Sequence, residues 1–229
     1  MRSKCRSSKR VEIDLMRQQY SKPIKEVRSF RRNGRLLSAF TRIFAKVDAP
    51  EHVVTPDGEP FVLAANHRSF FDFIIAWKVL TELGLTCHCL IRADLFEKPI
   101  IGGWLKRNGC IAASKSTREE AENRAVALLG DGYSVAVMPE GRLVPEAERP
   151  EGVGQGRPGI SRIATSANVC VLPVGLTGTE NVWPMGKAFP LFAIRRPTVK
   201  IRFGDPIKFN SDDHIANVGI VMDEIKSLL

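Results

Sequence analysis

A histidine and an aspartate lie five positions apart in the segment Asn66-His67-Arg68-Ser69-Phe70-Phe71-Asp72. An apolar run precedes this segment and a stretch with helical spacing follows it, so the segment is predicted to connect a strand to a helix. Histidine is the natural base for taking the proton of an alcohol near neutral pH. A carboxylate one helical turn away can hold the imidazole in the useful tautomer. The spacing alone is weak evidence, because His52 and Asp57 share it in what is predicted to be a surface turn. A lone histidine after a strand is also more often structural than catalytic.

Two further segments place charged residues at the ends of predicted strands. Met138-Pro139-Glu140-Gly141-Arg142 brings a carboxylate and a guanidinium together, and Gly109-Cys110-Ile111-Ala112-Ala113-Ser114-Lys115 ends in a cation. An arginine can grip a phosphate through two parallel hydrogen bonds. The competing interpretation of Arg142 is a surface turn with a salt bridge. In an open α/β sheet, ligands bind at the carboxyl ends of the strands, where His67, Glu140 and Lys115 are all predicted to lie.

The run Cys87-His88-Cys89 raises the question of a metal site. Neighbouring side chains on a strand point to opposite faces, and no second Cys/His cluster would complete four ligands. We therefore predict no metal site and no bound cofactor. The five cysteines, at positions 5, 87, 89, 110 and 170, have no framework spacing. This pattern favours a reducing compartment, and the four in predicted strands are expected to be buried thiols.

After residue 50 the chain alternates between short apolar runs and stretches with helical periodicity. The predicted strands are 61–65, 86–91, 110–113, 134–138, 169–176 and 199–203, and the predicted helices are 70–83, 100–106, 118–129, 160–166 and 213–228. Such alternation predicts an α/β fold with a mixed, largely parallel sheet flanked by helices. Pro173 favours an edge or bulge position in its strand. Residues 144–156, rich in Pro, Gly and Glu, predict a long loop beside Glu140.

The net charge of +9 is unevenly distributed along the chain. Residues 1–46 contain 14 Lys or Arg and three acidic residues, whereas the remaining residues sum to −2. The body of the protein is therefore not a general polyanion binder. Residues 1–20 are predicted to be a solvated tail. A nucleic-acid arm is the competing interpretation, but few aromatic residues interleave with its cations and no recognition fold accompanies it, so we expect no nucleic-acid partner.

Residues 35–47 have the pattern of a basic amphipathic helix, with Arg35, Arg42 and Lys46 off the apolar face. Such a helix can lie in the interface of an anionic membrane, or it can pack on the domain, and both interpretations stay open. No apolar run reaches the roughly 20 residues of a spanning helix, and the basic N-terminus lacks a signal-peptide core. We expect a basic membrane-interface segment over 1–48, an α/β domain over 49–229, and a peripheral protein on the cytoplasmic face of the cell membrane.

Taken in order and spacing, these segments resemble the four sequence blocks of the glycerolipid acyltransferase family, whose bacterial members make phosphatidic acid from lysophosphatidic acid. Residues 66–72 resemble the first block (N-H-x-S-x-x-D), 109–115 the second, Pro139-Glu140-Gly141 the third and 171–174 the fourth. The resemblance implies transfer of a fatty acyl group from acyl-CoA or acyl carrier protein to the hydroxyl of lysophosphatidic acid, in phospholipid biosynthesis. It implies catalytic roles for His67 and Asp72, and substrate-binding roles for Lys115, Glu140, Gly141 and Arg142.

Two positions depart from the family pattern. The second block usually ends in Arg, and Lys115 keeps the charge there but lacks the guanidinium fork. The third block usually reads P-E-G-T-R, whereas Arg142 follows Gly141 directly. Some relatives that act on other lysophospholipids also carry P-E-G-R. These departures bear on the acceptor more than on the chemistry, and glycerol 3-phosphate or another lysophospholipid is the alternative acceptor.

Several expectations complete this interpretation. Glu140 is expected to fix Arg142 or the glycerol, and backbone N–H groups near His67 are expected to stabilise the oxyanion. Ser69 has no G-x-S-x-G elbow around it, so it is predicted to form hydrogen bonds rather than act as a nucleophile. The candidates for an apolar acyl groove, or equally for the core, are Phe70, Phe71, Phe73, Trp77 and Trp104. A non-catalytic membrane-binding module of the same fold is the alternative from another functional class.

Overall fold

Apolar runs form strands and periodic stretches form helices throughout the part of the chain that the structure describes. The computed structural model describes residues 3–4, 25–56 and 58–229. Within these residues the strands are β1 (Ser3–Lys4), β2 (Lys46–Asp48), β3 (Phe61–Ala65), β4 (Cys87–Arg92), β5 (Ile111–Ala113), β6 (Ser134–Val137), β7 (Cys170–Thr177), β8 (Thr198–Phe203) and β9 (Ile207–Lys208). The helices are α1 (Lys25–Phe44), α2 (Phe71–Glu82), α3 (Pro99–Arg107), α4 (Arg118–Gly130), α5 (Gly159–Ser166), α6 (Thr179–Val182) and α7 (His214–Ser227).

One mixed sheet holds all of these strands together. Its central part has the order β7-β3-β6-β4-β5, and each neighbouring pair in that row is parallel. On the other side of β7, β8 and β9 run antiparallel to it, β2 extends β8 in parallel and β1 pairs antiparallel with β9. The predicted α/β class, with a mixed and largely parallel sheet, is confirmed. The carboxyl ends of β3, β6, β4 and β5 consequently share one edge.

Helices cover both faces of the sheet, and the alternation of side chains along the strands divides the core in two. Phe61, Leu63 and Ala65 of β3 belong to the cluster packed under α1 and α2. Val62 and Ala64 belong to the opposite cluster, which packs under α4, α5 and α7. All five β3 residues are buried, as expected for a strand covered on both faces. This rigid central strand leads directly into the His67 segment.

The strands and helices predicted after residue 60 are confirmed to within one residue at each end. The main error lies before that point, where the predicted helix over 35–47 proves to be the end of a longer helix, α1, that stops at Phe44. Residues Lys46–Asp48 form strand β2 instead, because they pair with β8 more than 150 positions later in the chain. Local periodicity carries no information about so distant a partner. Most of the predicted solvated tail, residues 1–20, lies outside the described residues.

Helix α1 packs against the domain along one face. Phe30 stacks on Trp77 with ring centroids 4.4 Å apart, and a Cβ at Gly34 would come within 1.9 Å of Thr81 Oγ1, so glycine permits the close approach to α2. The packing interpretation of the amphipathic helix is therefore confirmed for this face. Leu36 and Ile43 stay exposed on another face. None of the described helices is both long and apolar enough for a bilayer crossing.

Two local expectations need correction. Of the edge or bulge position expected for Pro173, only the edge is wrong: Pro173 lies in an interior strand, and its carbonyl accepts the Gly204 N–H at 2.9 Å in the irregular gap between β8 and β9. Proline has no N–H to donate, and at this position the hydrogen-bond ladder between β7 and its antiparallel neighbours is already interrupted. Cys170 is disulfide-bonded, so the expected thiol is wrong at that position. Cys87, Cys89 and Cys110 are free thiols, and burial raises the pKa of both Cys87 and Cys110 to about 12.

Candidate functional site

The His67 segment is anchored to the sheet at the carboxyl end of β3. The Asn66 amide donates to the Leu176 carbonyl at 2.9 Å and accepts the Leu176 N–H at 2.7 Å. Asn66 is completely buried, so this pair of hydrogen bonds replaces a step of backbone pairing between β3 and β7. The position of the next residue, His67, is fixed by this anchor.

His67 and Asp72 form the contact that their spacing predicted. The His67 Nδ1–Asp72 Oδ2 distance is 3.0 Å, and Asp72 lies fully buried in the first turn of α2. The same oxygen accepts the backbone N–H groups of Arg68 at 2.6 Å and Ser69 at 2.7 Å. Because Asp72 accepts a proton-bearing Nδ1, the other ring nitrogen, Nε2, keeps its lone pair. The His67 side chain is 18% exposed, which leaves this nitrogen accessible as a base.

The second carboxylate oxygen of Asp72 is an exception to the general pairing of buried polar groups. Asp72 Oδ1 is buried and accepts no hydrogen bond from the described residues. An unsatisfied buried acceptor costs about 1–3 kcal/mol. Its location in the first turn of α2 offsets part of this cost, since the positive end of the helix dipole favours a carboxylate there. Such a cost concentrated beside a histidine is typical of a functional site.

Glu140 supports the His67 backbone from the next strand. It follows β6, is only 3% exposed, and accepts the His67 N–H at 3.1 Å and the Gly154 N–H at 3.0 Å. Burial raises the pKa of Glu140, and these two N–H groups partly oppose that rise. The expectation that Glu140 fixes Arg142 is wrong, because its two oxygens hold backbone groups instead. Sequence analysis missed the contact because 73 positions separate Glu140 from His67.

Gly141 and Arg142 turn the chain away from this buried centre. Gly141 has φ +68°, a left-handed conformation that favours glycine, and its N–H donates to the Met138 carbonyl at 2.9 Å. Arg142 is exposed and forms an ion pair with Glu148 in the following loop. The hydrogen bond to the Glu148 carboxylate raises the pKa of the Arg142 guanidinium above its ordinary value. The structure therefore places the Arg142 guanidinium on an exposed rim beside the buried centre, engaged by an exposed carboxylate.

Lys115 lies on the same edge of the sheet but at a distance from His67. It follows β5, and two strands, β6 and β4, stand between β5 and β3. At about 4.8 Å per strand, the lateral separation is on the order of 14 Å. The Lys115 side chain is exposed and makes no hydrogen bond or ion pair to the residues that the structure describes. The two predicted substrate cations, Lys115 after β5 and Arg142 after β6, thus both follow strands on the same side of β3, and no hydrogen bond or ion pair joins either to His67 within the described residues.

Two neighbours of His67 attach its loop to the rest of the molecule. Ser69 Oγ donates to the Trp183 carbonyl at 2.6 Å and accepts the Phe71 N–H at 3.0 Å, so its predicted hydrogen-bonding role is confirmed. The Arg68 guanidinium donates to Glu180 at 3.0 Å and to the Gly152 carbonyl at 2.7 Å. The backbone N–H groups of His67, Arg68 and Ser69 all donate to carboxylates, so these three are not free to bind an oxyanion, and the expected donors would have to be other N–H groups near this loop.

The aromatic residues near this loop divide between core and surface. Phe71 and Trp77 are buried in the core, whereas Phe73 and Trp104 are partly buried and pack against it. Phe70 is exposed and packs against the Trp183 ring, with centroids 5.8 Å apart. The other four candidates belong to the core or pack against it. Phe70 is therefore the one of the five that offers an exposed apolar surface near His67.

The described residues contain no group of three or more His, Cys, Asp or Glu side chains that could hold a metal ion. The chemistry available at this edge is that of an oriented histidine base with two exposed cations, Arg142 and Lys115, that follow strands on one side of it. Such a base can take a proton from a hydroxyl as that oxygen attacks a carbonyl carbon. Two such cations suit an acceptor that carries a phosphate.

Comparison with known proteins agrees with this chemistry. An acyltransferase family model matches residues 45–177. The chain is 26% identical over 161 residues to a chloroplastic 1-acyl-sn-glycerol-3-phosphate acyltransferase of Arabidopsis thaliana, covering 69% of this chain and 42% of that protein. It is 28% identical over 140 residues to a 1-acyl-sn-glycerol-3-phosphate acyltransferase of Chlamydomonas reinhardtii, covering 60% and 40%. The chain thus spans about two fifths of the length of these curated relatives.

A solved structure extends the comparison to the fold. The crystal structure of the 1-acyl-sn-glycerophosphate acyltransferase PlsC from Thermotoga maritima superposes with a TM-score of 0.64. The match covers 88% of this chain and 78% of that one, at 22% sequence identity. At this identity the likeness establishes a shared fold. The sheet and the helices around it therefore have the same overall architecture as that protein.

Proposed function

Because the chain belongs to the acyltransferase family, we propose that it transfers a fatty acyl group from acyl-CoA or acyl carrier protein to the hydroxyl of lysophosphatidic acid, giving phosphatidic acid in phospholipid biosynthesis. The 3.0 Å contact between His67 Nδ1 and Asp72 carries this proposal, since it leaves His67 Nε2 as an oriented base at the ligand edge. The names of the relatives supply the acceptor. We further propose that the protein acts as a peripheral enzyme on an anionic membrane surface, at the cytoplasmic face.

The reaction is a direct transfer between two substrates. His67 Nε2 takes the proton of the acceptor hydroxyl as that oxygen attacks the thioester carbonyl carbon. The tetrahedral intermediate collapses, the C–S bond breaks, and the proton on the imidazolium passes to the departing thiolate. Asp72 stabilises the imidazolium through Nδ1, and Glu140 holds the His67 backbone in place. Ser69 is fully buried and hydrogen-bonded, so no acyl-enzyme forms on it.

The acceptor phosphate binds on the rim of the site. Arg142 releases Glu148 and takes the phosphate in its place, because a dianionic phosphate offers a stronger charge-assisted bond than an exposed carboxylate. Lys115 contributes a second positive charge from the end of β5, two strands beyond β6 along the same edge. Gly141, whose φ of +68° favours glycine, lies against the Arg157 side chain, where an added Cβ would come within 3.1 Å of Arg157, and it allows the turn that leads from Glu140 to Arg142.

The test compares the parent protein with His67→Ala and with His52→Ala as a matched control on an exposed histidine. Each is assayed for transfer from long-chain acyl-CoA and from acyl carrier protein to lysophosphatidic acid. Glycerol 3-phosphate and lysophosphatidylethanolamine are assayed in parallel. We expect transfer to lysophosphatidic acid by the parent and by His52→Ala, and loss of about 10³-fold or more in His67→Ala.

Comparing the three acceptors decides which of the alternative substrates the enzyme uses. Preference for lysophosphatidylethanolamine would mean that Arg142, directly after Gly141, marks a different lysophospholipid as substrate. A parent that transfers to none of the acceptors with either donor, while it still binds vesicles, would overturn the proposal in favour of a membrane-binding module. Circular dichroism of His67→Ala shows whether lost activity has a chemical or a structural cause.

A further inference from the structure

The loop between α6 and β8 carries a concentration of exposed apolar side chains. We define the 185–196 loop as residues Met185 to Arg196. Phe189 is 78% exposed and Phe192 is 81% exposed, while Ile194 is fully exposed. Met185 and Leu191 are also exposed. Single exposed hydrophobic residues are ordinary on protein surfaces, but five within ten positions of one loop are an unusual local concentration that favours a binding partner.

The charges in the same loop have one sign. Lys187, Arg195 and Arg196 are all exposed, and the loop contains no acidic residue. The body of the chain, by contrast, has a slightly negative net charge after residue 46. Phenylalanine and leucine side chains interleaved with cations fit an anionic lipid surface, because the rings enter the acyl boundary while the cations meet the headgroups.

The 185–196 loop joins the exposed face of α1 to make one larger surface. The Phe192 ring meets the Phe44 ring edge-on with centroids 6.2 Å apart, and the Arg196 guanidinium donates to the Arg42 carbonyl. Leu36 and Ile43 are exposed on α1, beside the exposed cations Arg35 and Arg42. Helix α1 and the 185–196 loop, which are far apart in sequence, therefore both present exposed apolar side chains and cations next to each other.

The base of this loop is bonded to the His67 loop. The Trp183 carbonyl accepts the Ser69 hydroxyl at 2.6 Å, and the Trp183 ring packs against Phe70. The Leu191 N–H donates to the Val182 carbonyl at 2.7 Å, which folds the loop back onto α6. Phe70 is itself exposed. A surface that holds the 185–196 loop would consequently lie near the edge where His67 works.

We propose that the 185–196 loop, with the exposed face of α1, is a membrane-docking surface that inserts Phe189, Phe192 and Ile194 into an anionic bilayer. Docking brings the His67 edge to the interface, where a lysophospholipid acceptor resides. The docking itself stands on the exposure and charge of the loop. Its consequence for catalysis rests on the proposed function.

The test measures co-sedimentation of the full chain with vesicles of phosphatidylcholine, alone or mixed with phosphatidylglycerol. We expect the double variant Phe189→Ser/Phe192→Ser to bind mixed vesicles at least about tenfold more weakly than the parent. Ile215→Ser is the matched control, because Ile215 is also 78% exposed but lies on α7 at the other face of the sheet. The basic N-terminal segment is present in every variant, so a difference between them reports the loop.

Charge is tested in the same way with Arg195→Glu against Arg124→Glu, an exposed arginine on α4. We expect Arg195→Glu to weaken binding to mixed vesicles by about fivefold or more, and Arg124→Glu to leave it unchanged. Equal binding of parent and double phenylalanine variant would overturn the proposal. So would equal binding of the parent to neutral and mixed vesicles, or light scattering that shows a parent dimer converted to a monomer by the phenylalanine substitutions.

An activity measurement separates this proposal from the function on which its second half rests. The double phenylalanine variant should lose transfer to acceptor embedded in vesicles and keep parent-like transfer between short-chain, water-soluble donor and acceptor. Loss with both kinds of substrate would overturn a docking role for the loop. If the parent transfers to no acceptor but the variants still differ in vesicle binding, the proposed function fails and the docking surface stands.

Discussion

The buried centre around His67 and the cationic rim formed by Lys115 and Arg142 are built on opposite principles. In the centre, Asp72 and Glu140 are almost inaccessible to solvent and bind four backbone N–H groups between them, in addition to the imidazole. On the rim, Arg142 has one exposed carboxylate partner and Lys115 has no hydrogen bond or ion pair to the described residues. The centre is therefore preorganised, whereas the rim is held loosely.

In the proposed reaction, this difference separates two tasks of one site. A base must keep its orientation to within a fraction of an ångström through the reaction, which requires partners that water cannot replace. A phosphate-binding residue need only reach its ligand, and an exposed ion pair contributes about 0–1 kcal/mol, so it exchanges readily. The contrast predicts that substitutions in the centre lower kcat, whereas substitutions on the rim raise the KM for the acceptor.

Asp72→Asn tests the centre with the smallest structural change. The Asn side-chain oxygen can accept the His67, Arg68 and Ser69 N–H groups in place of Asp72 Oδ2, and its NH₂ takes the position of Oδ1, which has no partner among the described residues. Only the negative charge beside the imidazole is lost. We expect kcat to fall by about 10³–10⁴-fold with the thermal midpoint little changed, measured by steady-state kinetics and calorimetry.

Asp72→Ala serves as the comparison for that variant. It removes the acceptor of three N–H groups, two of which are buried backbone donors. We expect it to lose activity similarly and also to lose about 2–4 kcal/mol of unfolding free energy. An Asp72→Asn protein that keeps its activity to within about tenfold would show that the charge beside His67 is unimportant for the reaction.

Glu140→Gln tests the support of the His67 backbone. Glutamine offers one acceptor where Glu140 serves both His67 and Gly154, so one buried N–H loses its partner. We expect a smaller effect than at Asp72, a fall in kcat of about 10–100-fold with the acceptor KM unchanged. A raised KM with unchanged kcat would place Glu140 in acceptor binding and break the contrast between centre and rim.

The same variant makes a prediction about pH. Burial raises the pKa of Glu140 above its ordinary value of 4.5. The stability that this shift contributes is therefore fully present below that ordinary value and is lost as pH rises through the raised pKa. Since the glutamine of Glu140→Gln does not titrate, the thermal midpoint of the parent should exceed that of the variant most at low pH, and the difference should shrink as pH rises. A difference that grows with pH would contradict the stated cause.

The fold and the site differ in how much of each the sequence could predict. Apolar runs and turns located the longer strands and helices after residue 60 almost to the residue, because each is specified by local periodicity, whereas the short elements α6 and β9 were not predicted. The His67–Asp72 pair was predictable for the same reason, as one helical turn joins its members. The bonds of Glu140 to His67 and of Arg68 to Glu180 were not, because they join residues 73 and 112 positions apart.

The 185–196 loop and strand β2 both show that local sequence does not determine whether a residue is buried or paired. The loop has no periodicity, so its apolar residues could have belonged to the core, and only the fold shows Phe189 and Phe192 to be exposed. Lys46–Asp48 continued the helical pattern of α1, yet the pairing with β8 made it a strand. Whether a residue is buried or paired depends on contacts that lie outside its own stretch of sequence.

Arg142→Gln tests the rim, where the smallest effect is expected. Its exposed ion pair with Glu148 contributes little to folding, so the thermal midpoint should stay within the error of the measurement. Losing charge-assisted hydrogen bonds to the acceptor phosphate should raise the acceptor KM by about tenfold while kcat changes little. Glu148→Gln is the matched control, because it removes the carboxylate that competes with the phosphate and should leave the KM unchanged or lower it. If Arg142→Gln instead lowered kcat as strongly as Asp72→Asn at an unchanged KM, the rim would belong to the catalytic machinery, and the separation of an oriented base from an exchangeable phosphate site would be wrong.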